Sequence, residues 1–580
     1  MTPSSVFFVV KLKDGNGKNQ QAEIVISHRE STESSEHSSQ LSVDENEAGC
    51  SKFLRLVRSA RFRMCALLCG AMFIMQFMNM SIAMTIVCMV KTNLTTRTQH
   101  LHIESNSSAA DNPFQDSFPH LCNANVSDGD VAWSPMTQGL VISSLSWGRL
   151  LTPAAGLLTE RFNVKISLAC AVSLAAISSA ALPPSVTLYG DYRLVIFWRI
   201  LTGIADALVQ PAVSRLLPIW YPASERITAL ALTTGGRQLA QIAVYPLAGY
   251  ACSLRGHKQL GFTSNGWPVV FYFSVLLAII WLPLWLVFGN QNPQKTRLTS
   301  ERERQWISIG TGGSQSVLGT KSDRGRPPWR QLALSTAMWA NICGVLCHEI
   351  PLVVVFVFLP TYMRDVLHFD IADIGMLASL PAVFFLFFKL TSAQLANFVV
   401  QNSIPITNNT SNSTINERWK ETEQKYRPKV QIFSIKMVAW PTMVARIFNT
   451  FASCGLGSCL IAIGLLNCCS QRITVLVLMS VGIAFAGFHG PGCLSAMVAI
   501  APSFSGTISG LCFFAVATGA LINPLVVNSI VQTGSRDEWA TIFIGAGTIA
   551  LLPIIFFNIW GSAEEQKWGK IVQKSISSEN

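Results

Sequence analysis

Residues 194–217 read LVIFWRILTGIADALVQPAVSRLL, an apolar run that carries Arg199 and Asp206. A helix of this length crosses the hydrocarbon core of a membrane. The two charged residues are seven positions apart, or about two helical turns, so their side chains lie on one face. An ionisable group at the centre of a spanning helix costs roughly 2.5–3.5 kcal/mol, and we therefore expect this face to point toward a wet interior that serves as a solute pathway.

The composition of the whole chain is typical of a protein that crosses the bilayer many times. Half of the 580 residues are hydrophobic and only 13% are charged, unlike an ordinary soluble protein. Apolar stretches of spanning length predict twelve transmembrane helices and an all-α membrane protein. They lie at 64–90, 137–158, 166–183, 194–217, 227–252, 267–289, 332–360, 375–400, 437–466, 473–499, 506–531 and 539–560. The sequence contains neither a nucleotide-binding motif nor a catalytic constellation, so we do not expect an enzyme.

A long charged connection divides the twelve spans into two halves of six. Residues 290–331 separate an N-terminal bundle at 64–289 from a C-terminal bundle at 332–560. This division is typical of a duplicated transporter, whose substrate site lies near the midplane between the halves. We expect cytosolic tails at 1–63, which is disordered apart from its basic end, and at 561–580.

The basic residues lie in alternate connections, which predicts orientation and argues against a nucleic-acid partner despite the net charge of +11. The connection 290–331 carries eight Lys or Arg against three acidic residues, whereas 91–134 carries two against five. We therefore place 290–331 in the cytosol and 91–134 outside the cell or in a lumen. The connection 91–134 also contains glycosylation sequons at Asn93, Asn106 and Asn125.

The fifteen cysteines follow no metal-ligand spacing. Most of them lie within predicted spans, where they behave as small apolar residues. Cys122, Cys252, Cys468 and Cys469 are predicted near the outer side, where one disulfide can form. The spacing leaves its pairing open.

The connection between spans two and three carries a recognisable motif. Residues 156–165 read GLLTERFNVK and resemble the major facilitator pattern G-x-x-A-D-R-x-G-x-K. Asn163 replaces the second Gly, a mild change because Asn tolerates positive φ. The resemblance implies the major facilitator fold and a loop that latches the inward-closed state. The gating-loop residues are then Gly156, Glu160, Arg161 and Lys165.

A second resemblance starts in span four. RILTGIADALVQPA at 199–212 and WYPASER at 220–226 are similar to R-x-x-E-G-x-x-E-G-x-x-x-P-A and W-x-P-P-x-E-R of solute carrier family 17. That family includes sialin, the vesicular glutamate transporters and the sodium-phosphate cotransporters. The similarity extends over about residues 60–562. It implies a role for Arg199 in substrate binding and for Asp206 in coupling.

Several positions depart from the family pattern, and most of the changes remove polar groups. Thr202 replaces the first acid of span four, and Ser214 stands where sialin-like members have His. Span one lacks an arginine, and apolar residues replace polar ones in spans ten and eleven. The positions are 78–81, Ala496, Ala499 and Phe513. Substrate identity therefore cannot be carried over.

Other ionisable residues within the spans are not family features. These are Arg149, Arg237, His348, Glu349 and Lys389. With Arg199 and Asp206 they give four basic side chains against two acidic ones near mid-span, a balance that favours an anion if they share one cavity. The predicted substrate-binding residues are Arg199, Arg149, Arg237 and Lys389, and the predicted coupling residues are Asp206 and Glu349. In the alternative interpretation these charges pair with one another, for example Arg237 with Asp206, and only hold helices together.

Glu349 is expected to supply the coupling capacity lost at Thr202, because a carboxyl group in a low-dielectric site can hold a proton near neutral pH. Pro351 follows two residues later and should loosen the local helix. We expect His348 to make a satisfied interhelical hydrogen bond. His489 lies in the Gly-rich segment 487–492 and is expected to pack rather than to bind a ligand.

The sequence therefore predicts a secondary active transporter that moves a small organic or inorganic anion by alternating access. Coupling is to protons or to sodium, with no other cofactor, and the partners are the solute and the lipid bilayer. We expect a monomer in the plasma membrane or in an endolysosomal or vesicular membrane. Two alternatives are a non-transporting relative that acts as a membrane receptor or regulatory partner, and an anion-conducting uniporter. The added charges argue against a non-transporting relative, because an unused pathway should become apolar.

Overall fold

The computed structural model describes residues 11–13, 19–21, 59–90, 129–222, 225–253, 266–296, 299–310, 327–403, 441–466 and 471–569. The chain divides into two units, Met1–Arg58 and Ser59–Asn580. In the first unit, β1 (Lys11–Lys13) pairs antiparallel with β2 (Asn19–Gln21). Asn93, Asn106, Asn125, three of the outer cysteines (Cys122, Cys468, Cys469) and most of both tails lie outside the described residues.

Seven described helices of the second unit build its first half. They are α1 (Ala60–Met89), α2 (Pro135–Arg149), α3 (Thr152–Arg161), α4 (Val164–Thr187), α5 (Tyr192–Trp220), α6 (Arg226–Ser253) and α7 (Pro268–Phe288). Four of them start at a polar residue whose side chain accepts a hydrogen bond from the backbone of the first turn. These caps are Ser59, Ser134, Asn163 and Asp191.

The central connection contains the short helices α8 (Glu301–Gly310) and α9 (Trp329–Leu334). The second half is built from α10 (Thr336–Asp365), α11 (Ile371–Leu377), α12 (Leu380–Ser403), α13 (Pro441–Leu465), α14 (Arg472–Ala486), α15 (Ser495–Ala499), α16 (Ser505–Ile530) and α17 (Arg536–Trp560). A 3₁₀ turn at Gly487–His489 and a π turn at Gly490–Leu494 join α14 to α15. Span ten is therefore irregular in its middle.

Each predicted span coincides with one helix or with consecutive helices. Ten segments of the described chain are long and apolar enough to cross a membrane. The other two are span five, which is α6, and span two, which is divided into α2 and α3. The division occurs because Pro153 has no N–H for the carbonyl of Arg149, and the hydroxyl of Thr152 donates to that carbonyl instead.

The two halves meet along two seams. In one seam α2 and α3 pack against α16, and in the other α6 packs against α11 and α12. At Gly156 a Cβ atom would lie 2.7 Å from the carbonyl oxygen of Gly506. The first seam therefore requires glycine at this motif position, because a side chain would push α3 away from α16.

We call the face at which α1 begins the inner face and the face at which it ends the outer face. A disulfide between Cys88 and Cys252 joins the outer ends of α1 and α6, with their Cα atoms 6.0 Å apart. Disulfides persist in oxidising compartments, so this bond agrees with an outer face that lies outside the cytosol. The sequence named Cys252 as a candidate but not Cys88, because Cys88 lies within span one and was counted among the apolar residues of the spans.

The halves touch at both faces, through contacts of different chemistry. Toward the outer face, buried apolar side chains of α1, α6, α10 and α11 form one cluster, and Tyr245 donates its hydroxyl hydrogen to the carbonyl of Phe356. Toward the inner face the contacts are polar. Ser214 donates to Ser509 at 3.0 Å, and Ser505 donates to the carbonyl of Ser214 at 3.2 Å. We call these contacts the outer seal and the inner seal.

Candidate functional site

A cavity of about 110 Å³ lies between the two seals. Its walls come from α1, α2, α5 and α6 of the first half and from α10, α12, α16 and span ten of the second. Its ionisable lining residues are Arg149, Arg237, His348, Glu349, Lys389 and His489. Four glutamines also line it, Gln76, Gln210, Gln238 and Gln241. The structure thus brings together most of the intramembrane charges that the sequence singled out.

Arg149 and Asp206 form an ion pair at the cavity wall. The Nε atom of Arg149 donates to Oδ2 of Asp206 at 2.6 Å, which joins α2 to α5. The side chain of Asp206 is 5% exposed and that of Arg149 is 20% exposed. The pairing of Asp206 with Arg237 that we considered from the sequence is not the one that forms.

Arg199 does not line the cavity. It lies on the outer-face side of Asp206, is 3% exposed, and donates to the carbonyl oxygens of Asn79 and Ile142 at 3.3 Å each. It therefore braces α1 and α2 against α5. Arg199 and Asp206 were expected to face a wet solute pathway, but both are buried and neither lines the cavity. Of the four predicted anion-binding residues, Arg149, Arg237 and Lys389 line it.

Two of the cavity cations are held by neutral amides. Arg237 donates from Nη2 to Oε1 of Gln210 at 3.3 Å. Lys389 donates from Nζ to Oε1 of Gln238 at 3.0 Å, and its ammonium lies 5.7 Å from the centre of the Phe385 ring. Neither cation has an acidic partner within 4.0 Å among the described residues. Lys389 is 5% exposed and thus does not reach for the membrane surface.

Glu349 faces the same cavity from α10. It makes no ion pair or side-chain hydrogen bond with the described residues. Pro351 follows it within the helix, and Asn523 of α16 donates to the neighbouring carbonyl of Ile350 at 3.0 Å. The carboxylate therefore sits on a stretch of α10 where the regular hydrogen-bond ladder is interrupted, with no bound partner of its own.

The charge balance of this region is slightly positive. Arg149, Arg237 and Lys389 contribute three positive charges, and Glu349 contributes one negative charge. Asp206, which is bonded to Arg149, contributes a second negative charge, so the sum is +1 with neutral histidines. A low-dielectric cavity of this charge attracts a small anion.

His348 and His489 stack on each other inside the cavity, and we call them the histidine pair. Their ring centroids are 3.7 Å apart with a tilt of 36°, and the residues are 2% and 1% exposed. His489 contacts the thiol of Cys493 at 3.1 Å and the hydroxyl of Ser453 at 3.4 Å, whereas Nδ1 of His348 has no hydrogen-bond partner in the part of the chain that the structure describes. The satisfied interhelical hydrogen bond expected for His348 is therefore wrong.

The gating-loop motif contacts both halves at the inner face. Glu160 accepts a hydrogen bond from the backbone N–H of Thr507 at 2.8 Å, at the start of α16. Lys165 donates to the carbonyl of Leu286 at 2.6 Å, near the end of α7. Each charge thus lies at the helix end that its sign favours. Arg161 is exposed.

Sequence reasoning missed the glutamines and the contact between the histidines. Gln210 and Gln238 are polar residues inside spans and are costly there for the same reason as charges. A search for every polar residue within a span, rather than for charges alone, would have found them. The stacking of His348 on His489 had no such signal, because it depends on how α10 meets span ten.

A larger groove of about 780 Å³ lies between α10 and α16. Its lining is almost entirely apolar, and several of its residues, such as Trp339 and Ile522, are exposed on the outside of the bundle. Such a surface suits lipid chains rather than a charged solute. The groove is therefore separate from the candidate site.

Comparison with known proteins identifies the family. The sequence profile described as Major Facilitator Superfamily matches residues 33–407. Human sialin is 24% identical over 511 residues, which cover 88% of this chain and 91% of sialin. Vesicular glutamate transporter 2 of Bos taurus is 24% identical over 437 residues, which cover 75% of this chain and 66% of that protein. These relatives confirm the resemblance to solute carrier family 17.

The fold also matches solved structures. The proton:xylose symporter XylE bound to 6-bromo-6-deoxy-D-glucose superimposes with a TM-score of 0.57 at 14% identity, over 88% of this chain and 98% of that one. A partially occluded inward open conformation of XylE from E. coli gives a TM-score of 0.53 at 13% identity, with 87% and 99% covered. The predicted twelve-helix fold in two halves is thereby confirmed.

Proposed function

Because the chain belongs to the major facilitator superfamily, we propose that it is a secondary active transporter that moves a small organic or inorganic anion by alternating access. The observation that carries this proposal is the cavity between the halves, in which Arg237 and Lys389 are hydrogen-bonded to neutral amides and have no acidic partner among the described residues. An anion that enters can replace those amides as the partner of each cation, and the opposite charges then attract each other across a low-dielectric site.

The two seals support the alternating-access part of the proposal. The outer seal is a broad apolar contact, and the inner seal is a small set of hydrogen bonds between α3, α5 and α16. The serines of the inner seal are buried here, and when the inner face opens they can exchange their hydrogen bonds for bonds to water at little net cost. We therefore propose that the inner face opens more readily from this closed arrangement than the outer face does.

For the coupling ion we propose a proton carried by Glu349. Its carboxylate faces the cavity without a bound partner among the described side chains, so its protonation state can respond to the solute. Asp206 is less suited to this role, because Arg149 already occupies one of its oxygens at 2.6 Å. Sodium coupling is the other outcome that the experiment below distinguishes.

The relatives support an anionic substrate class. Vesicular glutamate transporter 2 carries glutamate in its name, and glutamate is an acid. The cation-rich lining of the cavity agrees with that class of solute. The departures from the family pattern at Thr202 and Ser214 mean that no single family substrate is assigned.

The test is uptake into liposomes that contain the purified protein. A pH gradient, a sodium gradient and a membrane voltage are applied separately, with phosphate, urate, sialate, glutamate and nucleotide as candidate anions. We expect saturable uptake of at least one anion, increased by an inward proton gradient. A folded protein that moves none of them under any gradient would instead favour a non-transporting membrane receptor.

A further inference from the structure

The histidine pair is not used by the function proposed above. We propose that His348 and His489 form a second proton-binding site, which takes up one proton when an anion enters the cavity. This inference rests on the proposed function and goes beyond it. It names the residues that bind an additional coupling proton and places anion entry before proton uptake.

The geometry of the pair limits it to a single proton. Two positively charged rings with centroids 3.7 Å apart repel each other strongly in a low-dielectric interior. One charged ring over one neutral ring is favourable, because the face of an aromatic ring attracts a cation. The stacked pair therefore accepts one proton and excludes the second.

A proton acceptor is available within the pair. The proton adds to a ring nitrogen and no other bond is broken. Nδ1 of His348 is buried without a hydrogen-bond partner among the described residues, whereas both nitrogens of His489 have partners. In the other access state the proton returns to water.

The surroundings explain why an anion must enter first. The ionisable groups around the pair come from α2, α6, α10, α12, α16 and span ten, and α13 contributes the hydroxyl of Ser453. They are Arg149, Arg237, Cys343, Cys347, Glu349, Lys389, Cys493 and Cys512. Three of these groups are cations, and they oppose a further positive charge on the rings. A bound anion offsets that opposition.

Span ten provides a means of moving one ring relative to the other. His489 ends a 3₁₀ turn and precedes the π turn at Gly490–Leu494, in which Gly492 has the non-helical angles φ −77° and ψ −117°. Irregular turns of this kind are places at which a helix bends. Bending here during the change of access would separate the rings and release the proton.

The experiment compares proton movement with anion movement in the same liposomes. Counterflow of each of the five anions, with no gradient applied, measures anion exchange alone. Uptake with a pH dye inside the vesicles then gives the number of protons that enter per anion. The variants are His348→Asn, His489→Asn and the double variant. His368→Asn is the matched control, because His368 lies outside the cavity at φ 51°, which Asn tolerates.

We expect His348→Asn and the double variant to lose about one proton per anion, because both remove the acceptor nitrogen. His489→Asn removes only the stacked ring that stabilises the added charge, so we expect a smaller loss. Counterflow should persist in all of them, and the control should match the wild type. Losses that add in the double variant, or a proton count that stays unchanged while counterflow persists, would overturn the histidine proposal alone. An absence of counterflow of every anion in the wild type would overturn the transporter proposal, and with it the inference.

Discussion

The buried charged residues of this protein form two groups that differ in the partners to which their side chains are bonded. Arg149, Arg199 and Asp206, which we call the tied group, are bonded to each other or to backbone carbonyls. Arg237, Glu349 and Lys389, which we call the open group, are bonded to neutral amides or to no described side chain.

The residues of the tied group stabilise the packing of the helices, whereas the residues of the open group can bind a solute. An ion pair in a buried wall gives little to an incoming anion, because the cation already has a charged partner. A cation held by an amide can exchange that partner at a gain. The two residues that match the family signature, Arg199 and Asp206, thus belong to the tied group, and the open group consists of this chain's departures from the pattern.

The largest effect is expected when the ion pair of the tied group is broken. Asp206→Asn leaves the guanidinium of Arg149 without a counter-charge in a buried wall, and we expect a loss of roughly 3–5 kcal/mol in the free energy of unfolding. Chemical unfolding in detergent micelles measures it. Glu349→Gln is the matched control, since no ion pair is lost, and Arg149→Gln combined with Asp206→Asn should recover part of the loss. Equal stability of Asp206→Asn and the wild type would contradict the distinction between the tied group and the open group.

The next effect concerns the open group and the coupling of anion uptake to the proton gradient. Glu349→Gln removes one of the two proposed proton sites, so uptake should follow the pH gradient less steeply while counterflow of the same anion continues. A gradient of one pH unit is worth about 1.4 kcal/mol, so the variant should accumulate about tenfold less anion. Liposome uptake at fixed voltage measures this difference. Unchanged pH-dependent uptake in the variant would exclude Glu349 as a carrier.

An effect of similar size concerns anion affinity. Lys389→Gln and Arg237→Gln each remove one charged donor, and we expect the anion concentration for half-maximal counterflow to rise about tenfold. Arg472→Gln, which removes an arginine outside the cavity, should leave it unchanged. Arg199→Gln should lower stability more than affinity. If Arg199→Gln weakened binding as much as Lys389→Gln does, the two groups would not differ in function.

The smallest effect is expected at Glu160, a hydrogen-bonded charged residue that lies outside the cavity. Glu160→Gln weakens the contact with the start of α16 by about 0.5–1 kcal/mol and should favour opening of the inner face. A cysteine placed by Ser505→Cys reports the opening through its rate of alkylation, which we expect to rise about two- to fivefold. Arg161→Gln, at an exposed position of the same motif, is the control. A rate unchanged by Glu160→Gln would show that this bond does not hold the inner seal.

Much of the fold was predictable because hydropathy is a local property. A stretch such as 194–217 is long and apolar whatever its neighbours are, and each predicted span coincides with helix in the structure. The motif at 156–165 was equally readable, since Gly156 and Glu160 meet α16 through the backbone. The break between α2 and α3 follows from Pro153, a signal that was present in the sequence and was not used.

The partners of the buried groups were not predictable in this way. Arg149 and Asp206 are separated by 57 positions, and Cys88 and Cys252 by 164. The sequence allowed Asp206 to pair with Arg237 as readily as with Arg149. Which pair forms depends on the rotation of α2, α5 and α6 about their axes.

The sequence by itself determined the all-α membrane architecture, its two halves and the family, because each of these follows from short stretches of residues. The tertiary structure decided the chemistry of the cavity. It removed Arg199 from the lining, tied Arg149 to Asp206 and stacked His348 on His489. The physical reason is that the energy of a buried charge is set by atoms within a few ångströms. In a bundle of long helices those atoms come from distant parts of the chain.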